Sequence, residues 1–268
     1  MAVAYRPAVA GHRERVLAWG DEKVGKSQAC IDVVEALTDC HHYVIESDFN
    51  PAWNLLLDGS AAERVTREQV WPDEWAPYTK LVRAWSKEAG PNDWLYVDSM
   101  TPSWPAVRQW YTETVMGKTT SELLMAHAKA VRQGKKKGGN PLEGDTDWGA
   151  INAVYNELYM AIARFPGHVM LTSQWKKLGD RDSADEVKEY SGAARGHKPD
   201  GQKDLGRWPA TSLILTRKGH VHQVSTHGDR TRNGDREKLD KASWEHDETG
   251  GFFKVYFRGV AGWKMVKV

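Results

Sequence analysis

Cysteine is scarce: Cys30 and Cys40 are the only two in 268 residues. Their spacing matches no metal-binding pattern and no secretory leader precedes them. A disulfide framework is therefore excluded, and reduced thiols in a cytoplasmic protein are expected. No apolar run is long enough to span a bilayer, so no membrane partner is expected. An excess of one charge is missing too. Lys and Arg number 37 against 36 Asp and Glu, a formal net charge of +1. That excludes a global basic field, so any polyanion must be held by a local patch. Internal repeats and obvious linkers are absent, and the length suits one large α/β domain or two small ones. Tryptophan, by contrast, is abundant, with 13 residues. Such rings usually fill cores or interfaces, although an exposed one can stack on a nucleobase.

The most informative stretch is Gly20-Asp21-Glu22-Lys23-Val24-Gly25-Lys26-Ser27, which fits G-x-x-x-x-G-K-[ST] at every fixed position. Arg15 to Trp19 before it reads as a buried strand. Gln28 to Leu37 after it carries apolar residues at helical spacing. In a strand–loop–helix setting the glycines let backbone N–H groups approach phosphate oxygens, and the helix adds its positive dipole end. Gly20 to Gln28 is thus the candidate nucleotide-binding stretch. Lys26 is placed to reach the β- and γ-phosphates, and Ser27 to hold Mg²⁺. The plain alternative is a glycine turn followed by a chance Lys-Ser pair.

Residues 1–12 read as a loose arm. His42 to Asp48 is a second strand ending in acids. Parallel sheets present ligands at strand carboxyl ends, so Glu46 or Asp48 is the candidate carboxylate for polarising a water, against the alternative that both cap a turn at Asn50-Pro51. Residues 50–91 read as helices and connections, including an amphipathic helix over 78–85. Asp93 to Ser99 is an apolar strand whose terminal Asp98 is the candidate metal ligand opposite Ser27. Helical patterns follow over 104–131 and from Asp147 to Ala163. Between them, residues 132–140 are basic and glycine-rich. Arg132, Lys135, Lys136 and Lys137 are candidates for neutralising DNA phosphates, with a solvated charge run as the alternative. His168 to Gln174 is a strand whose terminal Gln174 is a candidate sensor of the γ-phosphate. Residues 175–207 form a long polar segment, where Trp175, Lys176, Lys177, Arg195 and Lys198 are candidate nucleic-acid contacts. Two hairpins are expected at the end, one turning at Lys218-Gly219 and one pairing 252–258 with 263–268. Between them Arg230 and Arg232 project guanidinium groups.

The order of these motifs resembles the core ATPase of the RecA family, and within it the phage-encoded RecA-core proteins of nucleotide-binding or single-strand annealing type. The likeness spans roughly residues 13–232. It rests on Gly20 to Ser27, Asp98-Ser99 and Ser173-Gln174. It implies an α/β fold, a RecA-like P-loop NTPase with a mostly parallel central sheet extended by C-terminal antiparallel hairpins. Its parts would be an arm at 1–12, an ATPase core at 13–240 and a β-hairpin extension at 241–268. It implies ATP and Mg²⁺, with Asp98 as the Walker B acid and Gln174 as the switch linking nucleotide to DNA loops. Glu46 or Asp48 would be the carboxylate that orients the attacking water, where the family has a Glu. Arg230 and Arg232 stand where the family sends basic residues onto a neighbour's nucleotide. The implied partners are single-stranded DNA, further copies in a ring or filament with nucleotide at the subunit junction, and a single-strand-binding protein. A phage-infected bacterial cytoplasm is the implied setting. Three rival readings stay open: a P-loop kinase of a small molecule, a helicase or packaging motor, and a nucleotide-dependent DNA-binding scaffold with negligible turnover.

Overall fold

The computed structural model describes residues 3–48, 52–54, 61–135, 141–142, 144–180, 182–191, 194–229, 242–245 and 250–267. Five parallel strands form the spine: β2 (Arg15–Gly20), β3 (His42–Glu46), β4 (Val65–Gln69), β5 (Trp94–Asp98) and β6 (His168–Lys177). β8 (Thr211–Lys218) joins them parallel to β2, and β9 (Val221–Asp229) returns antiparallel to β8. β10 (Ala242–Glu245) closes that edge against β9. The order across the sheet is β10-β9-β8-β2-β6-β5-β3-β4, and β7 (His197–Pro199) pairs with the end of β6. β6 thus lies between β2 and β5, with Gly20 opposite Gln174.

Alternation along the strands divides the interior into two cores. Leu17, Trp19, Ile45, Leu95, Val97, Val169 and Leu171 face α2 (Ala76–Trp85), α3 (Ser103–Met116) and α5 (Gly144–Ala163), meeting Val82, Val107 and Tyr155. Val16, Ala18, Val44, Tyr96 and Met170 face the other way, onto Val33 and Val34 of α1 (Lys26–Ala36) and Phe253 and Phe257. Tryptophan serves mainly as filling: Trp19, Trp53 and Trp94 are completely enclosed. α4 (Thr120–Arg132), opened by a Thr119–Glu122 capping box, buries none of its residues. Among the described residues no helix is long and apolar enough to cross a membrane.

Four expectations change. Residues 3–6 are not a loose arm: β1 (Val3–Arg6) pairs antiparallel with β11 (Lys264–Lys267), Tyr5 meets the Phe253 ring edge-on at 5.2 Å, and Arg6 pairs with Asp39. The second hairpin is absent. Phe253–Arg258 is a π-helix, since Phe252, Phe253, Tyr256 and Phe257 are all buried, and that spacing makes one helical face. Packing overrides the β-propensity of an aromatic run. β4 lies in a region read as helices and connections, because an edge strand with one buried apolar residue has no alternation to announce it. Finally, the polar segment after Gln174 is ordered by the extension of β6, by β7 and by α6 (Ala184–Glu189), itself opened by a Ser183–Glu186 capping box.

Two buried histidines make the fold acid-sensitive. His42 donates from Nε2 to the Leu37 carbonyl at 2.9 Å while its Nδ1 faces the Tyr96 hydroxyl at 3.1 Å. His168 Nδ1 accepts the Glu14 N–H at 3.0 Å. Both rings are therefore neutral, and burial lowers their pKa values to about 4 and about 3. The unfolded chain takes up these protons as pH falls below roughly 6.5, whereas the folded chain does not. Stability is therefore full above that pH and declines as pH falls toward 4. Denaturant unfolding at pH 7 and pH 4.5 checks this. His168→Asn, whose amide oxygen can still accept from Glu14, should lose less stability across the interval, and an unchanged pH dependence would refute the assignment.

Candidate phosphate-binding site

The β2–α1 turn is shaped by close approach. A Cβ on Gly20 would stand 2.2 Å from the Leu215 carbonyl oxygen of β8, so nothing larger than glycine fits where β2 ends. Lys23 and Gly25 have φ of 59° and 94°, which turns the chain back toward the sheet. α1 begins at Lys26 with no capping side chain and no acid in its first turn. Its leading N–H groups thus keep their anion-binding character.

A cavity of about 300 Å³ opens over this turn, and Lys26, Ser27, Gln28, Asp48, Gln174, Arg217 and His222 line it together with Glu22, Lys23, Gly25 and Ala52. The structure therefore brings together Lys26 and Ser27, which follow β2, Asp48, which lies beyond β3, and Gln174, which stands inside β6 rather than at its expected end. The Lys26 ammonium is buried and donates to the Gly20 and Asp21 carbonyls at 3.2 and 2.6 Å. Removal from water lowers its pKa, and the carboxylates of Asp98 and Asp48 pull it back up. Asp48 is raised above the ordinary carboxylate value, first by its partial enclosure and then by the like charge of Asp98; the Ser99 hydroxyl, which donates at 3.2 Å, and Lys26 oppose this.

Asp98 sits behind the cavity rather than on its wall. It is buried and accepts from Trp53 Nε1 at 2.8 Å and from the Thr172 hydroxyl. Ser47 ties the ends of β3 and β5 together: its Oγ donates to the Ser99 carbonyl at 2.8 Å and accepts the Ser99 N–H at 2.9 Å. Gln174 is fixed through its backbone, its N–H on Thr101 Oγ1 at 2.9 Å and its carbonyl on Asp200 N at 2.7 Å. Among the described residues no three His, Cys, Asp or Glu side chains are grouped to cage a metal. The Ser27 hydroxyl on the cavity wall and the Asp98 carboxylate behind it are hard oxygen donors, and Mg²⁺ takes one or two such protein oxygens and completes its shell with phosphate and water.

Glu46 does not line the cavity. It is buried with Oε2 3.4 Å from Arg67 Nε on the neighbouring β4. Strand register explains this, since Glu46 lies within β3 while Asp48 lies beyond its end. Arg217 and His222 were not anticipated. They come from β8 and β9, and only the placement of β8 beside β2 brings them here. A sequence carries no signal of that adjacency. Arg217 donates to the Gly219 carbonyl at 2.8 Å and reaches Lys23 O at 3.5 Å.

The candidate DNA contacts divide. Arg132 and Lys135 stand exposed at the end of α4 and just beyond it, and Lys177 and Arg195 are exposed near β7. Lys176 pairs with Asp200 at 2.9 Å. Lys198 lies against Asp182 and Glu186; partial burial works against its charge, but these carboxylates prevail and raise its pKa. Trp175 stacks on His197 with centroids 4.2 Å apart. Lys136, Lys137, Arg230 and Arg232 lie outside the described residues.

Fold and site together define a mixed α/β protein with a mostly parallel sheet and a glycine-cornered strand–loop–helix turn at its carboxyl end. No family model matches the chain. No curated protein matches its sequence. Among solved structures it is similar to the RadB recombinase, at 11% identity and a TM-score of 0.49 over 88% of this chain and 89% of that one. It is also similar to an ATPase from the type III secretion system of pathogenic bacteria, at 12% identity and a TM-score of 0.41 over 81% of this chain and 59% of that one.

Proposed function

We propose that the chain is a RecA-type ATPase that binds ATP with Mg²⁺ in the Gly20–Gln28 turn and couples hydrolysis to single-stranded DNA, in annealing or strand pairing of the phage type. The observation that carries this reading is the meeting of Lys26, Ser27, Asp48 and Gln174 at one cavity of about 300 Å³. Lys26 and the α1 N–H groups supply positive charge for phosphate. Ser27 and Asp98 would hold Mg²⁺, which offsets phosphate charge when bound. Asp48 is the better base, because Glu46 is committed to Arg67, and a raised pKa suits a group that must take a proton. Gln174 continues directly into Trp175, Lys176 and Lys177, so a side chain at the nucleotide is one residue from the segment offered to DNA.

In this reading the catalytic core is residues 13–240, and 241–268 is an extension packed upon it. Arg230 and Arg232 act on the nucleotide of a neighbouring copy in a ring or filament, and the protein works in the cytoplasm, with a single-strand-binding protein as a further partner. Arg132, Lys135, Lys177 and Arg195 carry DNA binding, since Lys176 and Lys198 are already paired with carboxylates. Binding is then sequence-blind and salt-sensitive.

The test is ATP hydrolysis with and without a single-stranded oligonucleotide, at low and moderate salt. Turnover that rises with the oligonucleotide, and binding that weakens steeply with salt, are expected. Phosphate transfer to a small acceptor with no oligonucleotide binding would replace this reading with the kinase.

A further inference from the structure

We propose that residues 242–245 and 250–258 brace the phosphate loop, with His222 and Asp32 as the positioning residues through which the brace acts. The proposal rests on the nucleotide-site reading above.

Two lines of contact carry it. The first runs from the loop through β9. The Val24 carbonyl accepts from His222 Nδ1 at 2.8 Å. A Cβ on Gly25 would lie 2.7 Å from the same imidazole, so the ring fills the space that glycine leaves. His222 is directly opposite Trp244 in the β9–β10 register, and the rings stack with centroids 5.3 Å apart and planes at 21°. Trp244 in turn presses on Gly251, where a Cβ would come within 2.4 Å of the indole.

The second line runs along α1. Gln28, on the cavity wall, donates from Nε2 to Asp32 Oδ1 at 2.9 Å. Asp32 Oδ2 accepts the Phe252 N–H at 2.7 Å. This carboxylate is buried in an apolar neighbourhood. Well-packed apolar side chains commonly serve stability as well as a buried charge does, so what Asp32 adds is a defined geometry. Both lines end at Gly250-Gly251-Phe252, where φ of 64° at Gly250 turns the chain into the helix.

The effect on the site follows from peptide geometry. The C=O and N–H of one trans peptide point in opposite directions. Anchoring the Val24 oxygen on His222 therefore turns the Gly25 N–H away from the imidazole, as a donor for phosphate. The loop holds Lys23, a residue with a side chain, at positive φ, a conformation that surrounding contacts must enforce. Nucleotide and brace thus favour the same loop shape, and each is felt at the other.

The experiment uses the full chain labelled with 5-fluorotryptophan, its Trp244 resonance assigned by Trp244→Phe, and titrated with ATP and Mg²⁺. The Trp244 resonance is expected to shift as nucleotide binds. His222→Phe keeps a ring against Trp244 but loses the bond to Val24, and should weaken nucleotide binding about tenfold. His222→Asn, whose amide can donate to Val24, should recover to within about threefold of the parent. A parent that binds nucleotide with an unmoved Trp244 resonance, or an Asn variant no better than the Phe variant, overturns the brace and leaves the nucleotide site standing. Absence of nucleotide binding by the parent overturns both. If His222→Phe does not fold, the parent's Trp244 resonance decides the matter alone.

Discussion

Lys26→Ala is expected to abolish nucleotide-dependent turnover while the protein stays folded. The Lys26 ammonium is held inside the loop by the Gly20 and Asp21 carbonyls, and burial has already stripped much of its water. A cation so prepared loses little further hydration when it meets phosphate, so its attraction is delivered nearly in full. Removing it should cost at least about 10³ in rate, roughly 4 kcal/mol of transition-state stabilisation. Folding loses two hydrogen bonds of about 1 kcal/mol each, and relief from burying a charge offsets part of that loss. Steady-state hydrolysis and thermal unfolding, measured on the same preparation, check both halves. Unchanged turnover would refute the phosphate-loop assignment.

Asp98→Asn should separate chemistry from architecture behind the cavity. The carboxylate accepts from Trp53 on one oxygen and from Thr172 on the other. An amide can satisfy both neighbours: its oxygen still accepts from the indole, and its NH₂ donates to Thr172, whose hydroxyl can accept as readily as it donates. The variant should therefore unfold within a few degrees of the parent. Its Mg²⁺-dependent turnover should fall by about 10²–10³, because the charge that would hold the ion's water shell is gone. Asp98→Ala lacks that compensation. It strands a buried indole N–H and a hydroxyl, and should be destabilised by about 2–4 kcal/mol. Equal turnover in the Asn variant and the parent would remove Asp98 from the reaction. Equal stability of the Ala variant would contradict the buried hydrogen bonds.

The spine of the fold was legible because its strands are short, apolar and bounded by turn residues. β2, β3 and β5 stand where apolar runs placed them, and β6 starts where expected but runs on to Lys177. The elements that escaped notice lacked a local signal. β4 has a polar surface, and β1 is four residues whose partner lies at the far end of the chain. The aromatic run at 252–258 carried a misleading signal, since a cluster of Phe and Tyr suits a strand until α1 and Asp32 are there to receive it as a helix. The candidate site divides likewise. The glycines, Lys26 and Ser27 are contiguous and could be recognised as a unit. Asp48 and Gln174 could be found from where their apolar runs give way to polar residues, but Glu46, two residues before Asp48, is set apart by its place within β3 and its partner Arg67. Arg217 and His222 reach the cavity through the order of strands in the sheet, which no spacing along the chain encodes.

The pairing of β1 with β11 has a consequence for how the molecule is made. These strands join positions 3–6 to 264–267, so they close a very long loop. On a ribosome β1 is made long before β11, its ladder partner among the described residues. Direct closure is entropically unfavourable, each doubling of loop length adding about 0.6 kcal/mol. Consolidation of the intervening sheet shortens the effective loop, so this small ribbon is expected to form late. Until then Tyr5 must wait for Phe253, and the apolar face that β1 later covers stays open to chaperones and to other nascent chains.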